Sequence, residues 1–68
     1  MSDLPVATIN RIVKKHGVER IGGDATAKLV ELTEAYIAKI STDAKKLADH
    51  AGRKTLKADD IALAASSA

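Results

Sequence analysis

Between Gly23 and Gly52 the chain runs from Asp24 to Ala51 without a glycine or a proline. As a helix these 28 residues span about 42 Å at 1.5 Å per residue. Turning about 100° per residue, Ala25, Leu29, Leu32, Tyr36, Ile40, Ala44, Leu47 and Ala51 fall in one band. Val30, Ile37 and Ala48 widen it, so the apolar face takes nearly half the cylinder. Glu31, Glu34, Thr42, Asp49, Lys28, Lys39, Lys45 and Lys46 lie opposite. A rod of this length is about twice the mean helix. Only about 40 residues remain to cover it in a chain of 68, which is too few. A second copy of the chain is therefore expected to cover the rest, with Leu29, Leu32, Tyr36, Ile40, Ala44 and Leu47 as the shared core.

The remaining sequence divides into two short helices. Pro5 suits a first helical position, and Val6, Ile9, Ile12 and Val13 make an amphipathic helix to about His16, ended by Gly17. Its polar face carries Asn10, Arg11, Lys14 and Lys15, with Arg11 three and four residues from the two lysines. Taken alone, such a cluster is more often a solvated face than a binding site. Gly17 to Gly23 reads as a loop, with Asp24 the expected N-cap of the long helix. Its glycines do not match a phosphate-binding loop, since they lack the GxxxxGK[ST] pattern and no strand precedes them. Gly52 is placed to end the long helix, Arg53 to Lys57 forms a second basic loop, and Ala58 to about Ser66 makes a third helix. There Ile61, Ala64 and Ala65 share one side, and Asp60 and Leu63 another. The expectation is one all-α domain over residues 1–68: short helix, loop, long helix, loop, short helix.

Composition narrows the functions open to such a chain. Apolar residues are 46% of it, but 13 of them are alanine and Tyr36 is the only aromatic, so one copy buries little area. There is no cysteine, hence no disulfide or thiolate metal site, and the two histidines, His16 and His50, are not spaced as a metal pair. No serine has a base at motif spacing, and the carboxylates are scattered, so neither an enzyme nor a cofactor is expected. Met1-Ser2-Asp3-Leu4-Pro5 lacks the basic and apolar regions of a signal peptide, and no run is long enough to span a membrane. A cytoplasmic protein is expected. The mixed charge of the long helix also argues against a membrane-surface peptide.

Net charge is only +2, but its distribution is uneven. Arg11, Lys14, Lys15 and Arg20 precede the long helix, with Glu19 the only acid among them, and Arg53, Lys54 and Lys57 follow it. The long helix holds four basic and five acidic residues. Positive charge flanks the rod instead of lining it. His50, at the edge of the apolar band, admits two readings. It is a half-buried residue closing the helix end, or it joins Leu47, Asp60 and Leu63 in a patch where imidazole and carboxylate pair across a two-fold contact.

Leu4-Pro5-Val6-Ala7, Arg11-Ile12-Val13-Lys14, Gly17-Val18-Glu19-Arg20-Ile21 and above all His50-Ala51-Gly52-Arg53-Lys54-Thr55-Leu56-Lys57-Ala58-Asp59-Asp60-Ile61 resemble the archaeal histones over essentially the whole chain. The resemblance implies a histone fold in a handshake dimer, in which the first loop of one copy lies beside the second loop of the other. The paired loops of that family form a short parallel bridge, here around Arg20-Ile21 and Thr55-Leu56.

It also implies sequence-tolerant binding, bending and compaction of double-stranded DNA by a protein of the nucleoid. Arg20 would enter the minor groove with Thr55 beside it, Lys54 and Lys57 would meet phosphates, and Arg11, Lys14 and Lys15 would serve a central site. Arg53 and Asp60 correspond to an internal structural pair. Leu47, His50, Asp60 and Leu63 correspond to the surface through which dimers join. The implied partners are DNA, a second copy, larger stacks and histone paralogues. Such folds also serve as assembly modules of transcription complexes, the alternative for a chain of modest charge. Three features depart from the family pattern: Asp49 before the histidine, Gly22-Gly23 at the start of the long helix, and the non-basic end Ala64-Ala65-Ser66-Ser67-Ala68.

Overall fold

A computed structural model describes residues 5–67. Leu4 of the family resemblance, Ala68 of the non-basic end and the Met1 to Leu4 part of the signal-peptide reading lie outside that range. Three helices follow in order: α1 (Val6–Lys15), α2 (Gly23–His50) and α3 (Ala58–Ser66). No strand occurs among the described residues. The chain divides into two compact units, Met1–Ala35 and Tyr36–Ala68, and α2 is continuous through the boundary.

In the first unit, Pro5 is the residue before α1 and not its first turn, and its carbonyl accepts the Ile9 N–H at 3.2 Å. Lys14 and Lys15 occupy the last turn, where cations oppose the negative end of the dipole. Gly17 then turns the chain out at φ +95°, with its N–H on the Lys14 carbonyl.

The inner face of α1 differs from the expectation. Ile9, Asn10 and Val13 are half-buried, whereas Ile12 is exposed. Asn10 belongs to the stripe Val6, Ile9, Asn10, Val13, at i, i+3, i+4 and i+7, and not to the polar face. Its partner is Thr26 of α2, which is buried, as is Val30 one turn further along.

The N-cap assignment is also corrected. α2 begins at Gly23, and the Gly22 carbonyl accepts the Thr26 N–H at 3.0 Å, so Asp24 lies inside the first turn. The Asp24 carboxylate turns back on the Ala25 N–H at 2.8 Å. A Cβ at Gly22 would sit 2.9 Å from that carboxylate, the end of a flexible side chain that can swing aside.

In the second unit, Ile40, Ala44 and Ala64 form the core, with Leu47 packed against it. α2 closes with paired hydrogen bonds around Gly52 at φ +72°: Arg53 N–H to the Ala48 carbonyl at 2.9 Å, and Gly52 N–H to that of Asp49 at 3.0 Å. On α3, Asp60 shares the covered side with Ala64, one turn on, while Ile61, Leu63 and Ala65 are exposed. The acid is drawn inward by Arg53 and separates from Leu63.

The band of α2 is only partly covered. Leu32 in the first unit is 56% exposed, and Tyr36 and Ile37 in the second are 54% and 50% exposed. Ala25 and Ala51, at its two ends, are exposed as well.

Candidate nucleic-acid interface

The cations of α2 are mostly neutralised along the helix itself. Lys28 pairs with Glu31 at 2.9 Å, Lys39 with Asp43 at 3.1 Å and Lys45 with Asp49 at 2.8 Å, each at i+3 or i+4. Asp49 thus answers Lys45 within the helix. Lys46 is the remaining lysine of α2 and has no ion pair among the described residues; both acids at its i±3 positions, Asp43 and Asp49, are engaged elsewhere.

Off α2 the pattern reverses. Arg11, Lys14, Lys15, Arg20, Lys54 and Lys57 are exposed and form no salt bridge among the described residues. Arg11, Lys14 and Lys15 ride on α1, and Arg20 lies in the loop that follows, all within the first unit. Lys54, Thr55 and Lys57 stand on the α2–α3 loop of the second unit. An exposed cation without an internal partner is available to an external anion.

The second loop is shaped by one arginine. Arg53 donates two hydrogen bonds of 2.8 Å to the Asp60 carboxylate and a third of 2.9 Å to the Thr55 carbonyl. Asp60 also accepts the Lys57 N–H at 2.8 Å, closing the first turn of α3. Both ends of the loop are thereby tied to one carboxylate that is only 5% exposed, and Lys54 is left outside the tie. The fork of hydrogen bonds from Arg53, and then the Lys57 N–H, hold the Asp60 carboxyl down at about 2 against burial, which opposes its charge. The same pairing raises Arg53 above its ordinary value.

The patch around His50 is dispersed in character. His50 is exposed and not half-buried, Leu47 is half-buried and Leu63 is exposed. Asp60 is covered; its Oδ1 accepts one bond from Arg53 and keeps the capacity for another. Among the described residues no three or more His, Asp or Glu side chains come together as a metal site would need. No described helix is long and apolar enough to cross a membrane.

The tie between Asn10 and Thr26 is absent from the expectations drawn on the sequence. Its signal is present there, since Asn10 completes the helical stripe, but an asparagine beside Arg11 reads as polar surface.

A family model described as "Histone-like transcription factor (CBF/NF-Y) and archaeal histone" matches residues 2–65. The chain is similar to a subunit of the archaeal histone HAN1 of Thermococcus zilligii, at 45% identity over 94% of this chain and 96% of that protein. It is 39% identical to probable archaeal histone 3 of Methanocaldococcus jannaschii, over 90% of this chain and 91% of that one. DNA-binding protein HmvA of the same organism is 44% identical over 85% of this chain and 60% of its own length.

Proposed function

The chain belongs to the family of histone-like transcription factors (CBF/NF-Y) and archaeal histones, and on that footing we propose that it binds, bends and compacts double-stranded DNA as a dimer. The observation that carries this reading is the segregation of charge. Three of the four lysines of α2 are neutralised in place, while Arg11, Lys14 and Lys15 of α1 and Arg20, Lys54 and Lys57 of the loops form no salt bridge among the described residues; Arg53 alone of the loop cations is tied internally, to Asp60. The open set coincides with the positions to which the family resemblance gives DNA contacts. Leu32, Tyr36 and Ile37 supply the reason to dimerise, because half of each side chain faces water in a single copy.

In this reading Arg20 enters the minor groove with Thr55 of the other copy beside it. Lys54 and Lys57 meet phosphates at the two ends, and Arg11, Lys14 and Lys15 meet them at the centre. In this reading none of these groups reads a base edge, so affinity follows phosphate neutralisation and the ease of bending the duplex. With minor grooves facing inward about every 10.2 bp, three contacts occupy roughly 30 bp. Dimers extend along DNA through Leu47, His50 and Leu63, with the His50 imidazole donating to the spare capacity of Asp60 Oδ1. The protein acts on the chromosome and carries no catalytic role.

Binding of the purified protein to two duplexes of unrelated sequence, each over a range of salt, tests the proposal. Affinity should be equal for both and should fall steeply with salt. Arg20→Ala should weaken both duplexes alike and reduce bending; unchanged binding and bending would refute the groove assignment.

A second reading, an assembly module with weak DNA affinity, draws on the net charge of +2 and on the Lys45–Asp49 pair. It predicts that the protein alone fails to retard either duplex and forms stable complexes only with a different histone-fold chain.

A further inference from the structure

Among the described residues, α1 buries no side chain fully. Its apolar grip is limited to Ile9 and Val13, both half-buried. Apolar contacts of this kind are non-directional and tolerate rotation of a short helix about its own axis. A hydrogen bond is directional and does not. One such bond joins the two helices: Thr26 Oγ1 donates to Asn10 Oδ1 at 2.8 Å, in a part-buried setting, with Thr26 itself covered. No other side-chain hydrogen bond between α1 and α2 occurs among the described residues.

Thr26 is itself fixed. Its N–H is held by the Gly22 carbonyl, and it lies in the first turn of a continuous 28-residue helix. Asn10 precedes Arg11 directly and lies four residues before Lys14, one turn along the same helix. Pinning Asn10 inward therefore sets the direction of the next side chain, about 100° around the axis, and of the cations that follow.

We propose that Asn10 and Thr26 are positioning residues for DNA binding, fixing the rotation of α1 so that Arg11, Lys14 and Lys15 present to phosphates as one set. This rests on the assignment of those three cations to the central DNA contact. Neither Asn10 nor Thr26 touches the nucleic acid. Their effect runs through the helix that carries the charges.

The test compares hydroxyl-radical footprints and salt dependence for the full chain and four variants: Thr26→Val, Asn10→Ala, Thr26→Ser, and the double variant Arg11→Ala with Lys14→Ala. Thr26→Val keeps the shape and removes the donor; Thr26→Ser keeps the donor. Thr26→Val and Asn10→Ala should each lose protection at the centre of the footprint while keeping it at the ends, where Arg20, Lys54 and Lys57 act. The salt slope should fall by up to about 2.7 per copy, the equivalent of three phosphates. Thr26→Ser should restore the central protection.

Uniform weakening of centre and ends, or no rescue by serine, would mean general destabilisation and overturn the inference. Intact central protection in both Thr26→Val and Asn10→Ala would overturn it as well. If Thr26→Val does not fold, Asn10→Ala on the half-exposed face of α1 decides. The double variant separates the two levels. Loss of the centre there, with Thr26→Val and Asn10→Ala unaffected, sinks only this inference; an unaffected double variant sinks the central site itself.

Discussion

Leu32→Ala separates a chain that folds alone from one that folds by pairing. Leu32 is 56% exposed in the single copy, and nothing in its own unit covers it further. In a monomer the truncation is a surface change, with an effect within about 0.5 kcal/mol. If a second copy closes over the α2 band, the same truncation leaves a cavity, at about 2–5 kcal/mol per site. A two-fold pair has two such sites, so the loss is roughly 4–10 kcal/mol per dimer. At 1.4 kcal/mol per tenfold, the dissociation-linked unfolding constant moves by about three to seven decades.

Urea unfolding followed by far-ultraviolet circular dichroism, run over a hundredfold range of protein concentration, reads this out. Wild-type stability should fall by about 1.4 kcal/mol per mole of dimer for each tenfold dilution. Tyr36, 54% exposed and the only aromatic, gives a second signal from the same face, through the change in its emission as the copies part. A wild-type midpoint independent of concentration, together with a Leu32→Ala midpoint matching it, would refute the reasoning.

Three further outcomes are expected. Asp60 titrates at about 2 in the folded chain, below the ordinary unfolded value of about 3.9. Its contribution to stability is therefore complete above pH about 4 and is lost as pH falls toward about 2; acid titration of wild type against Asp60→Asn should show that dependence only in the wild type. Gly52→Ala should cost about 1–2 kcal/mol, measured by thermal unfolding, because φ is +72° and nothing lies within 4 Å of an added Cβ to offset the left-handed backbone. Ile40→Ala should cost about 2–5 kcal/mol by the same measurement, since Ile40 is the largest side chain of the Ile40–Ala44–Ala64 core.

The helices are legible in the sequence because their boundaries rest on local chemistry: Gly17 and Gly52 stop α1 and α2 by taking positive φ, and the period of α2 needs no tertiary information. The start of α2 is not, because two glycines before an aspartate leave the entry undecided until the Asp24 carboxylate chooses between capping from outside and folding onto Ala25. Polar residues with buried partners are the harder case. From the residues alone Asn10 reads as polar surface and Asp60 as one of a patch with Leu63, yet each is claimed by a residue outside its own helix, Thr26 and Arg53. The Arg53–Asp60 pairing is reached through the family likeness, and Asn10 has no such guide. The candidate DNA contacts are visible as charge, but their freedom from internal ion pairs requires the structure. Lys45 already has Asp49 at i+4 in the sequence and pairs with it, whereas Lys54 and Lys57 lie on a loop whose one buried acid, Asp60, is taken up by Arg53 and the Lys57 N–H.

If paired copies gather the open cations of α1 and the loops onto DNA, sedimentation equilibrium of the protein on a random 60-bp duplex shows it most directly. At roughly 30 bp per dimer the saturated complex should hold four copies, reached through a two-copy intermediate. Saturation by odd numbers of single copies, or a duplex that sediments free of protein at low salt, would contradict it.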